Sequence, residues 1–379
     1  MMDDPKVTFI VPCYKLGHLL ADCVNSILEQ TYGDFEVLIM DDRSPDQTPD
    51  VARSFGDPRV KHIRNEVNLG HLCNYNEGIA RARGKYIWLI SADDRLRKEY
   101  VLERYVELME KHPEVGYVFC PAVDLVDERE AGVLVYSRHG DQDAIFDGRS
   151  FLLKLLKYNP IAAPSAMVRA HLYRKNPFPL DMPWGGDWYQ WCRFALESDV
   201  GYLAEPMVCY RRHDLSMSNL LVNHKAAACV SDDTRMPWII KREAEYLGYP
   251  KLAKACLRAA VDIYARSISS RHGRGSQSGM TREQFEESLA RNAVNSRDKD
   301  WVRARVWVAV ADQHYRAEEL PLAREGYLCG IRQDPGMVQA WAKLFLVCFG
   351  PIGTRVRRVL ADRRSTRGKA VLANSAGEK

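Results

Sequence analysis

A repeated unit constrains the first hundred residues: a short apolar run, an abrupt polar stop, then a helical pattern. Val7-Thr8-Phe9-Ile10-Val11 stops at Pro12, the run 35–40 stops at Asp41-Asp42, and the run 85–90 is followed by Ser91-Ala92-Asp93-Asp94. All three read as strands, and the first, a short apolar run ended by Pro12, as one buried on both faces. Between them Leu19, Leu20, Cys23, Ile27 and Leu28 recur at helical spacing. A short helix is expected around 51–55, a strand over 60–63, and a helix around 72–82 ending at Gly84, where a residue free to take positive φ belongs. Strand and helix in alternation predict a parallel sheet, and such sheets take ligands beyond the carboxyl ends of their strands. The polar clusters lie at that end.

Further along, the pattern predicts a helix over 99–112, a strand over 115–119, a polar, loop-rich stretch over 128–150, a helix around 151–157 and a strand near 165–168. The segment 176–188 is dense in Pro, Trp and Gly, and strand signals stop after Val208-Cys209-Tyr210. From about 222 the pattern is helical. It is interrupted by 267–279, a flexible linker by composition, and resumes at Thr281-Arg282-Glu283-Gln284 with the spacing of a capping box. The expected division is an α/β body over 1–220 and an all-α region over 221–379.

With 46% hydrophobic and 27% charged residues, wholesale disorder is excluded. No apolar run approaches the ~20 residues that cross a bilayer. The opening Met1-Met2-Asp3-Asp4-Pro5 lacks the basic-then-apolar order of a secretion signal. Ten cysteines without a C-x-x-C pair form neither a zinc ribbon nor a disulfide framework and suit a reducing compartment, so a cytoplasmic protein is expected. The net charge of +4 hides a tail, 355–379, with eight Lys/Arg and two Asp/Glu, a surplus of +6 that leaves 4 − 6 = −2 elsewhere. A near-neutral body gives little support to nucleic-acid binding.

A carboxylate pair at a strand end can bind a cation, accept a hydrogen bond from a ligand N–H, or merely start a turn. The recurrence of the pair in one sheet shifts the balance toward a site. In chain order, 7–14, Gln30 through Ser44, Asn68-Leu69-Gly70, Asn76-Glu77-Gly78, Gly84-Lys85-Tyr86-Ile87 and Ser91-Ala92-Asp93-Asp94 resemble the opening of a family 2 glycosyltransferase of GT-A fold. The resemblance extends to about Ser218. It implies an inverting, metal-dependent enzyme that moves sugar from a nucleotide-sugar donor, a UDP-sugar by expectation, to a saccharide, glycan or lipid-linked acceptor, in bacterial surface polysaccharide or glycoconjugate assembly.

On that resemblance Pro12 and Tyr14 border the nucleotide base, Asp42 accepts the uracil N3–H, and Asn68 and Asn76 order the loop near ribose and diphosphate. Ser91-Ala92-Asp93 stands where the family has D-x-D, so Ala92 and Asp93 are expected at the nucleotide. Asp93 is the leading ligand for Mn²⁺ or Mg²⁺, with Asp94 compensating for the carboxylate missing at Ser91. Within Trp184–Phe194, a segment similar to the family's E-D-W-x-L-W, Gly186 replaces the acid and Asp187 matches the base; an acid in the first turn of a helix also suits the helix dipole. Tyr210-Arg211-Arg212-His213-Asp214-Leu215-Ser216-Met217-Ser218 resembles the closing Y-R-x-H-x-x-S-x-S. It offers His213 to the metal and Arg211 or Arg212 to the diphosphate. Trp184, Trp188 and 128–150 are candidate walls of the sugar pocket.

The segment 303–335, with Ala323-x-x-x-Tyr327 and a closing Asp334-Pro335, resembles one tetratricopeptide unit. A lone unit reads as a helical hairpin packed on the body or on a second subunit, so a homodimer is one expectation. The basic tail suits either peripheral contact with an anionic membrane or a solvated end. Two other readings stay open: a catalytically silent scaffold, and a sugar-1-phosphate nucleotidyltransferase. The latter wants a Gly-rich phosphate loop that Pro12-Cys13-Tyr14-Lys15-Leu16-Gly17 does not offer.

Overall fold

The computed structural model describes residues 4–214, 216–269 and 279–348. The chain forms two compact units, Met1–Cys256 and Leu257–Lys379. In the first, β1 (Val7–Cys13), β2 (Phe35–Asp41), β3 (Val60–Arg64) and β4 (Tyr86–Leu89) lie parallel in the order β3-β2-β1-β4, as the alternation predicts. The intervening helices are α1 (Gly17–Leu28), α2 (Thr48–Ser54) and α3 (His71–Arg81). Beyond β4 come β5 (Arg95–Leu96), α4 (Val101–Lys111), β6 (Val115–Phe119), β7 (Ala122–Val126), β8 (Arg129–Val133), β9 (Ala144–Phe146), α5 (Gly148–Leu155), β10 (Met167–Arg169), α6 (Ala170–Lys175), α7 (Gly186–Ala195), β11 (Asp199–Tyr202) and β12 (Val208–Arg212). The large sheet continues β4-β10-β6-β11-β9, with β10 and β9 antiparallel to their neighbours, and a small sheet runs β5-β12-β7-β8.

Every residue of β1, β2 and β4 is buried, which explains why these strands are mostly apolar rather than alternating; the exceptions within the runs, Thr8 and Glu36, bond each other, and Glu36 also pairs with Lys61 and Arg83. Phe9 stacks on Trp88 at 5.4 Å and Trp88 leans on Tyr105 at 4.3 Å, a core that joins β1, β4 and α4. The register pairs Cys13 with Asp41, so β1 and β2 end together. Two backbone bonds then tie the strand ends: Asp42 N–H donates to the Cys13 carbonyl (3.0 Å) and Ala92 N–H to the Pro12 carbonyl (3.2 Å). The three polar clusters thereby stand side by side.

Three features differ from the sequence expectation. Gly84 has no positive φ; a Cβ there would lie 2.5 Å from Thr8 N and 2.8 Å from the Tyr86 carbonyl, so glycine is required by close approach instead. The stretch 128–150 holds two short strands, and β8 is so exposed that it carries no apolar signal. The first unit extends past 220 through α8 (Met217–His224), α9 (Ala226–Tyr246) and the start of α10 (Pro250–Ser269). The Asp232 carboxylate on α9 accepts Trp184 N–H and Gly185 N–H, while Glu243 on α9 takes the Tyr189 hydroxyl and pairs with Arg193 of α7. A helical periodicity does not say which neighbour its face packs on.

The second unit holds the rest of α10, then α11 (Arg282–Asn292), α12 (Ser296–Arg316), α13 (Leu320–Gln333) and α14 (Val338–Cys348). The Thr281–Gln284 capping box is formed in both directions. Gly330 lets α13 close on α12, because a Cβ would fall 2.6 Å from Val308 and 2.9 Å from the Ala304 carbonyl. Ala323, Tyr327 and Ile331 of α13 pack with Ala311 and Tyr315 of α12 and Leu344 of α14. The expected hairpin near 303–335 is this α12–α13 pair. The tail 355–379 and most of the linker 267–279 lie outside the described residues. Among the described residues no helix is long and apolar enough to cross a membrane.

Candidate active site

The end of β2 carries two buried acids. Asp41 accepts Ser44 N–H at 2.7 Å and faces His62 and Arg64, which fixes the turn. Asp42 accepts three N–H bonds: Asn65 Nδ2 (2.9 Å) and Leu69 N (2.8 Å) on Oδ1, and Gly70 N (2.9 Å) on Oδ2. Gly70 has φ +80° and caps α3, so glycine is required at this bend. Asn68 donates to the Asp42 carbonyl at 3.0 Å and closes the same loop. A carboxylate offers about four acceptor positions, so Asp42 keeps one for a ligand N–H. Tyr14 is 42% exposed beside Asp42's strand end, with Lys15 Nζ 5.1 Å from its ring, a face open to stacking. Pro12 is buried and engaged through its carbonyl.

At the end of β4 the acids are used differently. Asp93 Oδ2 lies 2.9 Å from His213 Nε2, and both side chains reach solvent in part. Asp94, expected as a metal ligand with them, turns inward: it is buried and accepts Arg211 N–H at 2.9 Å. Burial and the adjacent Asp93 push its carboxyl well above the usual carboxylate range. Among the described residues no three His, Cys, Asp or Glu side chains are grouped to hold a metal ion. Asp93 and His213 are thus a two-donor station. This suits a hard cation that keeps substrate phosphate and water in its shell and does not suit an all-protein cage.

Three further expectations change with the geometry. Arg211 is not available to a diphosphate: it is 5% exposed, with Nε on the Asp93 carbonyl (2.7 Å) and its two Nη groups on Glu128 and Asp22. It pins Asp93 from behind. Ala92 is fully buried with its N–H already bonded, so its side chain meets no ligand. Asn76 bonds both the N–H and the carbonyl of Phe178 (2.8 and 2.9 Å), ordering the segment that leads to α7 rather than the ribose loop. Arg212 donates Nε to Asp124 and lies over the Tyr210 ring at 4.6 Å, half-exposed, with its outer nitrogens unengaged among the described residues. Trp188 is buried, its indole on the Leu155 carbonyl, and walls no sugar pocket; Trp184 is partly exposed and donates to Asp233.

Asp187 is the second residue of α7. Its carboxylate accepts Trp188 N–H (2.7 Å) and Asn159 Nδ2 (3.1 Å). Although the residue is partly exposed, desolvation outweighs these bonds and pushes the carboxyl up to about 6. The turn before it hangs on Asp232, which sequence reading missed because nothing local marks a helical aspartate as a clamp.

α3 connects these stations. His71, in electrostatic reach of Asp42, and Tyr75, one turn on, meet edge to face at 5.5 Å. The Tyr75 phenol is in turn within reach of Asp93, Asp187 and Asp94, and the Tyr136 phenol within reach of Asp187 and Asp94. The acids from the ends of β2 and β4 and from α7 therefore gather around α3, whose cap Gly70 donates to Asp42 and whose His71 and Asn76 bond the Pro183 and Phe178 carbonyls of the segment before α7.

Residues 8–159 match the family described as Glycosyl transferase family 2. Among curated relatives, Glycosyltransferase GlyA of Streptococcus pneumoniae is 23% identical over 287 residues, covering 74% of this chain and 40% of its own length. An uncharacterized glycosyltransferase of Haemophilus influenzae is 28% identical over 236 residues, covering 59% of this chain and 71% of its own. The chain thus spans about two-fifths of the first of these relatives. Among solved structures, S. aureus TarS 1–349 in complex with UDP-GlcNAc superposes with a TM-score of 0.62 at 18% identity, covering 87% of this chain and 92% of that one. The fold is the GT-A α/β arrangement followed by a helical region, and the family 2 resemblance read from the sequence holds.

Proposed function

We propose that the family 2 glycosyltransferase domain over 8–159, completed by α7 and β12, transfers a sugar from a nucleotide donor to an acceptor hydroxyl with inversion. The observation that carries this reading is the Asp93–His213 pair at the end of β4, close to Asp42 at the end of β2 and joined through α3 to the segment that opens α7 with Asp187. Tyr14 stacks on the base, and the spare acceptor position of Asp42 takes the uracil N3–H. A divalent cation such as Mn²⁺ or Mg²⁺, held by Asp93 and His213, would neutralise charge on the departing diphosphate. Arg212 meets the diphosphate with its outer nitrogens.

Asp187 removes the proton from the acceptor hydroxyl, whose oxygen attacks the anomeric carbon opposite the leaving diphosphate. A carboxyl held near 6 is ionised at neutral pH and is a stronger base than an ordinary aspartate. The desolvation that raises it is also the condition in which a fixed charge acts most strongly.

UDP-GlcNAc, which TarS binds, heads a donor panel that includes other UDP-, GDP- and dTDP-sugars. Acceptor-dependent nucleotide release with an inverted product configuration supports the reading. Nucleotide release without an anomeric change in the product contradicts the single displacement. The absence of both nucleotide binding and release across the panel favours a silent scaffold. A role in bacterial surface polysaccharide or glycoconjugate assembly, cytoplasmic placement with tail-mediated membrane contact, and a homodimer accompany this proposal as its wider setting.

A further inference from the structure

Among the described residues, one side chain from outside α7 bonds the Asp187 carboxylate. Asn159, in the stretch between α5 and β10, donates Nδ2 to Asp187 Oδ2 at 3.1 Å, while Asp187 Oδ1 takes the N–H of Trp188 at 2.7 Å. The orientation of the Asn159 amide is set by its other end, where Oδ1 accepts Ile161 N–H at 3.1 Å. A reversed amide would set its NH2 against the Ile161 N–H and its oxygen against a carboxylate. The stretch that carries Asn159 is fixed to the core of the sheet. Trp88 of β4 donates Nε1 to the Pro164 carbonyl (2.8 Å), and Tyr105 of α4 donates its hydroxyl to the Ser165 carbonyl (2.8 Å). Pro160, Ile161 and Ala162 are buried.

A carboxylate acting as base must offer the acceptor hydroxyl a lone pair at a fixed place, and a misplacement of about 1 Å can cost a hundredfold in rate. A single N–H leaves the group free to turn about its last bond, whereas one N–H on each oxygen fixes its plane. Each oxygen has about two acceptor positions, so one on each stays open. We propose that Asn159 is a positioning residue for sugar transfer, which fixes the plane of the Asp187 carboxylate and keeps an open lone pair where the acceptor hydroxyl arrives. This inference rests on the function proposed above. An amide suits the task better than a cation. A cation bonded to Asp187 would strongly favour the ionised form and weaken the base, whereas an amide N–H does so modestly. The titratable groups in electrostatic reach of Asp187 are the phenols of Tyr75 on α3, Tyr136 after β8 and Tyr173 on α6, and the Cys192 thiol on α7 itself. None is charged at neutral pH, since burial raises each above its ordinary value. The bonds from Asn159 and the backbone are therefore what opposes the desolvation of the carboxylate.

The bond from Asn159 to Ile161 N–H shapes a turn whatever happens at Asp187, so the decisive variant keeps that bond and changes the other. Asn159→Asp retains an oxygen for Ile161 N–H and sets a second carboxylate where Asp187 had a donor. The rising limb in the pH profile of kcat is expected to move upward by about one unit or more. At pH 7 kcat should fall roughly tenfold or more, with the donor KM and UDP affinity within twofold of wild type. Asn159→Ala removes the donor without adding charge. It should move the limb the same way by a smaller step and keep a roughly tenfold deficit in kcat above it. An unmoved limb in Asn159→Asp, whether or not kcat falls, overturns the positioning role and leaves Asn159 a turn residue. Thermal midpoints of Asn159→Asp are measured at pH 5 and pH 8, and an unfolded variant at both assigns the bond to the fold and overturns the role as well. A wild type that transfers no sugar, or whose limb survives in Asp187→Asn, fails earlier, at the function proposed above, and is measured first.

Discussion

At the end of β2 the two carboxylates accept N–H bonds from Ser44, Asn65, Leu69 and Gly70, while at the end of β4 the Asp93 carboxylate meets only His213 among the described residues. The sequences Asp41-Asp42 and Asp93-Asp94 are the same dipeptide after the same kind of strand. They differ in how many donors the surrounding chain aims at them. The loop 65–70 folds back over β2 and fills three of the acceptor positions of Asp42. After β4, Arg211 takes the Asp93 carbonyl and leaves its side chain for other use. Spare hydrogen-bonding capacity, rather than charge, separates an acid that builds a site from one that works in it.

Substitutions that remove a working acid should cost activity, and substitutions of a building acid should cost stability. The largest effect is expected at Asp187→Asn, with transfer falling roughly a thousandfold as a general base is removed while UDP binding persists. The same variant has a stability signature. The folded carboxyl lies above its unfolded value, so the contribution of Asp187 is present in full at low pH and is lost as pH rises through about 6. Asp187→Asn should therefore melt at or above the wild type at pH 8 and lose that advantage near pH 4, measured by thermal scans at both. Next comes Asp93→Asn, expected to lower transfer by about a hundredfold. It should also remove the Mn²⁺-dependent gain in UDP affinity measured by calorimetry, with little change in unfolding free energy.

Asp42→Asn inverts that pattern. An amide presents N–H where Leu69, Gly70 and Asn65 already donate, so a loss of about 2 kcal/mol is expected in denaturant unfolding, larger than for Asp93→Asn. Equal destabilisation by the two variants would break the comparison. The smallest effect is expected at Asp232→Asn. Its clamp on Trp184 and Gly185 positions Asp187 without touching substrate, so kcat should fall by roughly tenfold or less with UDP affinity unchanged and the pH profile displaced.

Much of this was legible in the chain. The buried strands announce themselves as short, largely apolar runs, and the candidate site lies at their carboxyl ends, where open α/β sheets bind ligands. Asp187 was visible as an acid opening a helix within a recognisable segment. The partner counts were not. Nothing local to Arg211 says that its guanidinium is buried on Asp22 and Glu128, and nothing local to Asp94 says that it faces a backbone N–H. The helices α8 and α9 joined the first unit for a similar reason, since the long-range clamp from Asp232 leaves no trace in periodicity.

The most direct test is the pH dependence of kcat/KM for sugar transfer, measured in the wild type and in Asp187→Asn. The wild type should show a limb rising with pH and centred near 6, and the residual activity of the variant should lack it. A wild-type profile that is flat from pH 5 to 8, or a limb that survives in Asp187→Asn, would contradict the assignment of the desolvated aspartate as the base.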